Sequence, residues 1–111
     1  MVLLRTSAGL SVDTPDESNI RAVLEALPRG GHVILEHEKS ASGSEHYIQA
    51  WLRPEGTYQL EYREGNADNH YQTLTISREK VGDALIGWLD AESTWRESFQ
   101  WKSIGDWLAG K

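Results

Sequence analysis

Apolar and polar residues alternate most regularly between His46 and Ile76, and the alternation sets its own strand register. The turn is Arg53-Pro54-Glu55-Gly56-Thr57. Proline suits the second position of a type I turn, and glycine supplies the positive φ of a three-residue hairpin loop. With Pro54, Glu55 and Gly56 as the loop, Arg53 lies opposite Thr57. Leu52 then faces Tyr58, Ala50 faces Leu60 and Ile48 faces Tyr62, an apolar set on one side. Trp51 with Gln59, Gln49 with Glu61 and Tyr47 with Arg63 fill the other side. A slip of one residue mixes the two sets, so the apolar side must be the core.

The flanking segments extend this pattern. Val2-Leu3-Leu4 and Leu10-Ser11-Val12 are short apolar runs that read as a strand or a loop. Thr14-Pro15-Asp16-Glu17 reads as a helix start, with Thr14 as cap, Pro15 in the first turn and Glu17 completing a capping box. Ile20, Val23, Leu24 and Leu27 form one apolar stripe, and Pro28 with Gly30-Gly31 ends the helix. Four strands follow. The first runs from His32 to Glu38 with Val33 and Leu35 inward, which sends Ile34, Glu36 and Glu38 outward. Residues 40–44 and 65–69 read as loops around the central hairpin.

The fourth strand spans His70 to Ile76. Matching Leu60 with Leu74 puts Tyr58 against Ile76 on the core side and Tyr71, Thr73 and Thr75 on the outer side. Three outer rows are then expected: Tyr47-Arg63-Tyr71, Gln49-Glu61-Thr73 and Trp51-Gln59-Thr75. Ser77 caps a second helix whose stripe is Val81, Ala84, Leu85, Trp88 and Leu89. Gly82 and Gly87 weaken that helix and suit close packing. The expected architecture is α+β: a four-stranded antiparallel sheet, five-stranded if residues 2–12 add one. A helix from each end of the chain packs on one face, and a Trp-rich tail closes the edge. Residues 1–111 read as a single domain.

Composition narrows the function classes. The chain has 111 residues, 39% hydrophobic and 25% charged, an ordinary globular balance. The net charge of −6 disfavours nucleic acid and favours a basic protein partner. No apolar run approaches the roughly 20 residues of a membrane span, and Met1 to Arg5 does not read as a signal peptide. Cysteine is absent, which removes thiolate chemistry and fits a reducing, cytoplasmic setting. Four of the five tryptophans fall in the last 24 residues, where they read as core-closing rings.

Catalytic signals are absent. There is no glycine-rich phosphate loop, no His-Glu-x-x-His and no Gly-x-Ser-x-Gly elbow. His37 and His46 could be cross-strand neighbours, and Glu36 or Glu64 would be needed to complete a thin metal site. The expectation is therefore a non-enzyme with no cofactor and no metal. The candidate partner-binding residues are Tyr47, Gln49, Trp51, Gln59, Glu61, Arg63, Tyr71 and Thr73, an acidic and aromatic face suited to a protein interface. Two alternatives are a homodimer closed by the same face and a small-molecule binder with a pocket near Trp95 and Trp101.

A resemblance points the same way. Tyr58-Gln59-Leu60-Glu61-Tyr62, then Ser77 to Leu89, then Trp95 to Trp101, resemble the closing segment of small bacterial polymorphic-toxin immunity proteins. His46 to Leu52 also resembles a string in small actinobacterial proteins. The likeness covers residues 45 to 102. It implies a non-catalytic protein that binds and blocks a toxin, and an acidic balance suits a basic target.

Overall fold

A computed structural model describes residues 2–37, 45–65, 69–92 and 94–103. The expected loop at 40–44, the outward placement of Glu38, and the tail residues Ile104, Trp107 and Leu108 lie outside them.

The central hairpin sets the frame. β4 (Glu45–Leu52) and β5 (Tyr58–Gly65) pair antiparallel with Ala50 against Leu60, Trp51 against Gln59 and Tyr47 against Arg63. This is the register expected from the turn. Arg53 N–H donates to the Thr57 carbonyl at 2.9 Å, Gly56 N–H donates to the Arg53 carbonyl at 2.9 Å, and Gly56 sits at φ +97°. β3 (His32–His37) flanks β4 with Leu35 against Ile48, so Val33 and Leu35 point inward as expected.

The sheet is wider than four or five strands. β1 (Val2–Thr6) and β2 (Ser11–Asp13) form an N-terminal hairpin, and β1 inserts beside β3. β6 (His70–Thr75) flanks β5, and the two-residue β7 (Lys102–Ser103) adds an edge beyond it. The order is β2-β1-β3-β4-β5-β6-β7, antiparallel throughout: six strands of three or more residues plus the short β7. The sequence undercounts strands because β1 and β2 are too short to show a period.

Two helices cover one face. α1 (Glu17–Ala26) starts at Asp16, not Thr14. The Asp16 carboxylate accepts from Asn19 N–H at 2.9 Å, and the Asn19 amide oxygen accepts from Asp16 N–H at 2.9 Å. Thr14 sits two residues earlier at φ +48°, so it cannot reach the helix amides as a cap. These hydrogen bonds, Asn19 first and then Ser18, hold the Asp16 carboxyl below its ordinary range. α2 (Arg78–Leu89) is capped by Ser77, whose Oγ accepts from Lys80 N–H at 3.2 Å.

The core lies between the helices and the sheet. Leu4, Leu35, Ile48, Ala50, Leu60, Val81, Ala84 and Leu85 are fully buried, with Ile20 and Leu24 of α1 against them. Arg21 of α1 reaches Asp83 of α2 at 2.8 Å. The tail closes the remaining gap. Trp95, in a 3₁₀ turn (Thr94–Ser98), meets Tyr62 edge-on at 5.2 Å, and Trp101 meets the same ring at 4.7 Å. Gly87 makes room for this: a Cβ there would sit 2.6 Å from Trp95 Cδ1. No helix among the described residues is long and apolar enough to cross a membrane.

Candidate functional site

The face opposite the helices carries the unusual chemistry. Strand pairing sets its side chains in three rows. One row reads Asp13, Leu3, Glu36, Tyr47, Arg63, His70. The second reads Ser11, Arg5, Ile34, Gln49, Glu61, Gln72, Lys102. The third reads His32, Trp51, Gln59, Leu74.

Six of the eight expected residues, Tyr47, Gln49, Trp51, Gln59, Glu61 and Arg63, therefore share this face. Tyr71 and Thr73 do not. The β5–β6 register differs by one residue from the Leu60–Leu74 match: Leu60 faces Thr73, Tyr62 faces Tyr71 and Tyr58 faces Thr75. Tyr71 stacks on Tyr62 at 5.1 Å on the helix side, and Thr73 Oγ1 donates to the Gln100 carbonyl at 3.0 Å. Ile76 falls beyond the strand, 84% exposed rather than opposite Tyr58. Aromatic stacking and a tail carbonyl hold the core side of β6, so the apolar match to Leu74 loses.

The same register brings in His70, Gln72 and Leu74, which sequence reasoning missed. His70 is the centre of the network although it is only 4% exposed. Arg63 Nε donates to His70 Nδ1 at 3.1 Å, and the Tyr47 hydroxyl lies 3.5 Å from that nitrogen. With Nδ1 accepting, the ring proton sits on Nε2, 3.0 Å from Glu61 Oε1, and is donated there. Glu61 Oε2 accepts from Gln59 at 3.1 Å and from Gln49 at 3.4 Å. The Arg63 guanidinium lies 5.7 Å over the Tyr47 ring. At the far edge, Arg5 pairs with Glu36 at 2.5 Å.

Two consequences follow for chemistry. A carboxylate holding one histidine nitrogen is the arrangement that orients a general base. Here the second nitrogen accepts from Arg63, so the ring offers no lone pair to a substrate. The three rows also mix both signs of charge. Asp13, Glu36 and Glu61 are matched by Arg5, Arg63 and Lys102, three against three. On the helical layer and its caps, the six carboxylates of Asp16, Glu17, Glu25, Glu79, Asp83 and Asp90 stand against the three cations Arg21, Arg78 and Lys80.

Exposed apolar surface gathers at one end. Trp51 is 37% exposed and Leu74 55%, on either side of Gln59 in the third row. The Arg53 guanidinium lies 5.6 Å over the Trp51 ring.

The other candidates fare less well. His37 and His46 are neighbours, with ring centres 6.4 Å apart, but Glu36 belongs to the outer face and Glu64 pairs with Arg96. Among the described residues no three metal-ligating side chains come together. His37 packs at 4.8 Å on Trp88, and burial there, with the His46 charge, holds its pKa below the ordinary histidine value. Trp95 and Trp101, where the small-molecule alternative sets its pocket, pack edge-on on Tyr62 and on each other. Set against families of related sequences, curated proteins and solved structures, the chain matches none.

Proposed function

We propose that this chain is a non-catalytic protein-interaction module, immunity-like, that engages a partner protein through its open sheet face. The observation that carries the reading is the exposed Trp51–Leu74 row set beside a closed polar network. Aromatic and aliphatic side chains with flanking arginine are the usual anchors of protein interfaces. Glu61, His70, Gln49 and Gln59 bond to one another, so part of the polar demand of a covered face is met within the chain. The toxin-blocking role implied by the resemblance is one form of this reading. A homodimer closed by the sheet face is the second form.

Site-specific photo-crosslinking in the cells that make the protein tests the reading. A benzophenone side chain replacing Gln59 should give protein adducts, and they should be lost on adding Leu74→Lys. The same group replacing Glu25, on the exposed side of α1, should give few. Adducts from position 25 alone would overturn the assignment of the face.

A further inference from the structure

We infer that the end of the sheet beside the β4–β5 turn binds an acidic, apolar segment of a partner protein; this rests on reading the open face as an interface. The segment carries two neighbouring carboxylates next to a large aliphatic or aromatic side chain. Its carboxylates meet Arg29 and Arg78, and its apolar side chain lies on Ile76 and Leu74.

The arginines carry the argument. Of the seven, Arg5, Arg21, Arg53 and Arg96 pair with carboxylates of this chain, and Arg63 donates to His70. Among the described residues, Arg29 and Arg78 meet neither a carboxylate nor a histidine. Both line one cavity of about 440 Å³, and Glu79 is the one carboxylate that lines it among the described residues. A chain of net charge −6 thus sets two arginines against one carboxylate here. Arg29 is held in place. Its Nη1 donates to the Pro54 carbonyl at 3.2 Å, and a Cβ at Gly56 would lie 3.6 Å from its Nη2. That bond leaves most of the guanidinium donors for a ligand. Arg78 opens α2, where the helix dipole disfavours a cation. Two guanidinium groups at one cavity suit carboxylates, which they bind through paired N–H donors.

Apolar exposure gathers at the same end. Trp51, Leu74 and Ile76 are three of the four large apolar side chains exposed among the described residues; the fourth, Leu10, lies beside the β1–β2 turn. Ile76 follows Leu74 by two residues and lines the cavity with Leu52 and Tyr58. Ile76 therefore joins the arginine cavity to the exposed third row of the open face.

Charge and surface together select the occupant. A free anion would leave the apolar side chains uncovered. An anionic membrane or a nucleic acid would meet the charge of the whole chain, which repels it. A short acidic segment meets only the charges within the roughly 10 Å that salt leaves unscreened.

Selection of a phage-displayed library of random peptides on the full chain tests the inference. Enriched peptides should place at least two Asp or Glu beside Leu, Ile, Phe or Trp. Their dissociation constants, read by fluorescence polarisation, should rise about tenfold or more in Arg78→Gln and in Arg29→Gln, and should rise with added salt. Ile76→Ser should weaken the same peptides, and Arg5→Gln on β1 should leave them unchanged. If Arg29→Gln lowers the thermal midpoint through its bond to Pro54, Arg78→Gln reads the same cavity without that bond. Basic or carboxylate-free peptides, no enrichment over a blank surface, or affinities indifferent to both arginine substitutions would overturn the inference. Arginine-dependent binding of phosphatidylglycerol vesicles without peptide enrichment would overturn it as well. Each of these outcomes leaves the broader reading intact if adducts still form from position 59 and are lost in Leu74→Lys. Adducts from position 25 alone would remove that reading too.

Discussion

The two sides of β5 solve opposite problems with the same backbone. Tyr58, Leu60 and Tyr62 face the helices and are buried among apolar neighbours. Gln59, Glu61 and Arg63 face away: Gln59 and Gln49 donate to Glu61, and His70 links Glu61 to Arg63. On the first side order comes from filling space, so removal of atoms costs stability. On the second it comes from directional bonds among groups that water could also satisfy, so substitution there costs less.

The largest effect should come from the covered side. Leu60→Ala removes a fully buried side chain and should cost about 2–5 kcal/mol in urea unfolding. A loss below about 0.5 kcal/mol would erase the distinction between the faces. Next comes the seam that closes the core. Gly87→Ala drives a methyl to 2.6 Å from Trp95 Cδ1 and should cost about 1–3 kcal/mol, with a shift in tryptophan fluorescence. An unchanged spectrum would mean that α2 and the 3₁₀ turn are not in close contact.

On the open side, Trp51→Ala should change folding stability by no more than about 0.5 kcal/mol at concentrations where the chain is monomeric. A loss comparable to that of Leu60→Ala would mean that Trp51 is buried and the comparison inverted. The smallest effect concerns pH. His37 titrates below its unfolded value of about 6.5, so the unfolded chain binds more protons over that interval. The contribution of His37 is therefore complete above about pH 6.5 and is lost as pH falls toward its folded value. Urea midpoints at pH 7.5 and 5.5 should differ less in His37→Asn than in the wild type. Equal differences would remove the packing on Trp88 as the cause.

The β4–β5 register was legible because a three-residue turn containing Pro54 and Gly56 leaves one way to pair the strands. Nothing comparable joins β5 to β6. The apolar match of Leu60 to Leu74 predicts one pairing there, whereas Tyr71 stacking on Tyr62 and Thr73 bonding to the tail decide another. Both causes depend on residues far along the chain, so local alternation could not show them. The error moved Tyr71 and Thr73 into the candidate site and left out His70. The helix cap was displaced for a local reason: Asp16 and Asn19 bond reciprocally, while Thr14 adopts a left-handed turn. Ser77, the α2 stripe and the close-packing glycines were readable because each acts within a few residues of its partners or through the helical period.

The position of β1 has a consequence for synthesis. β1 is made before β3, yet β3 is its inner neighbour, and α1 comes between them in the chain. About 30 residues must follow β1 before that neighbour exists. At ribosomal rates of about 5–20 residues per second, the wait is roughly 2–6 s. Until then only the three-residue β2 can pair with β1, and the apolar side of Val2 and Leu4 has no sheet to join. For those seconds β1 keeps one apolar edge unshielded, although it is the first inner strand of the sheet whose two neighbours have both been made.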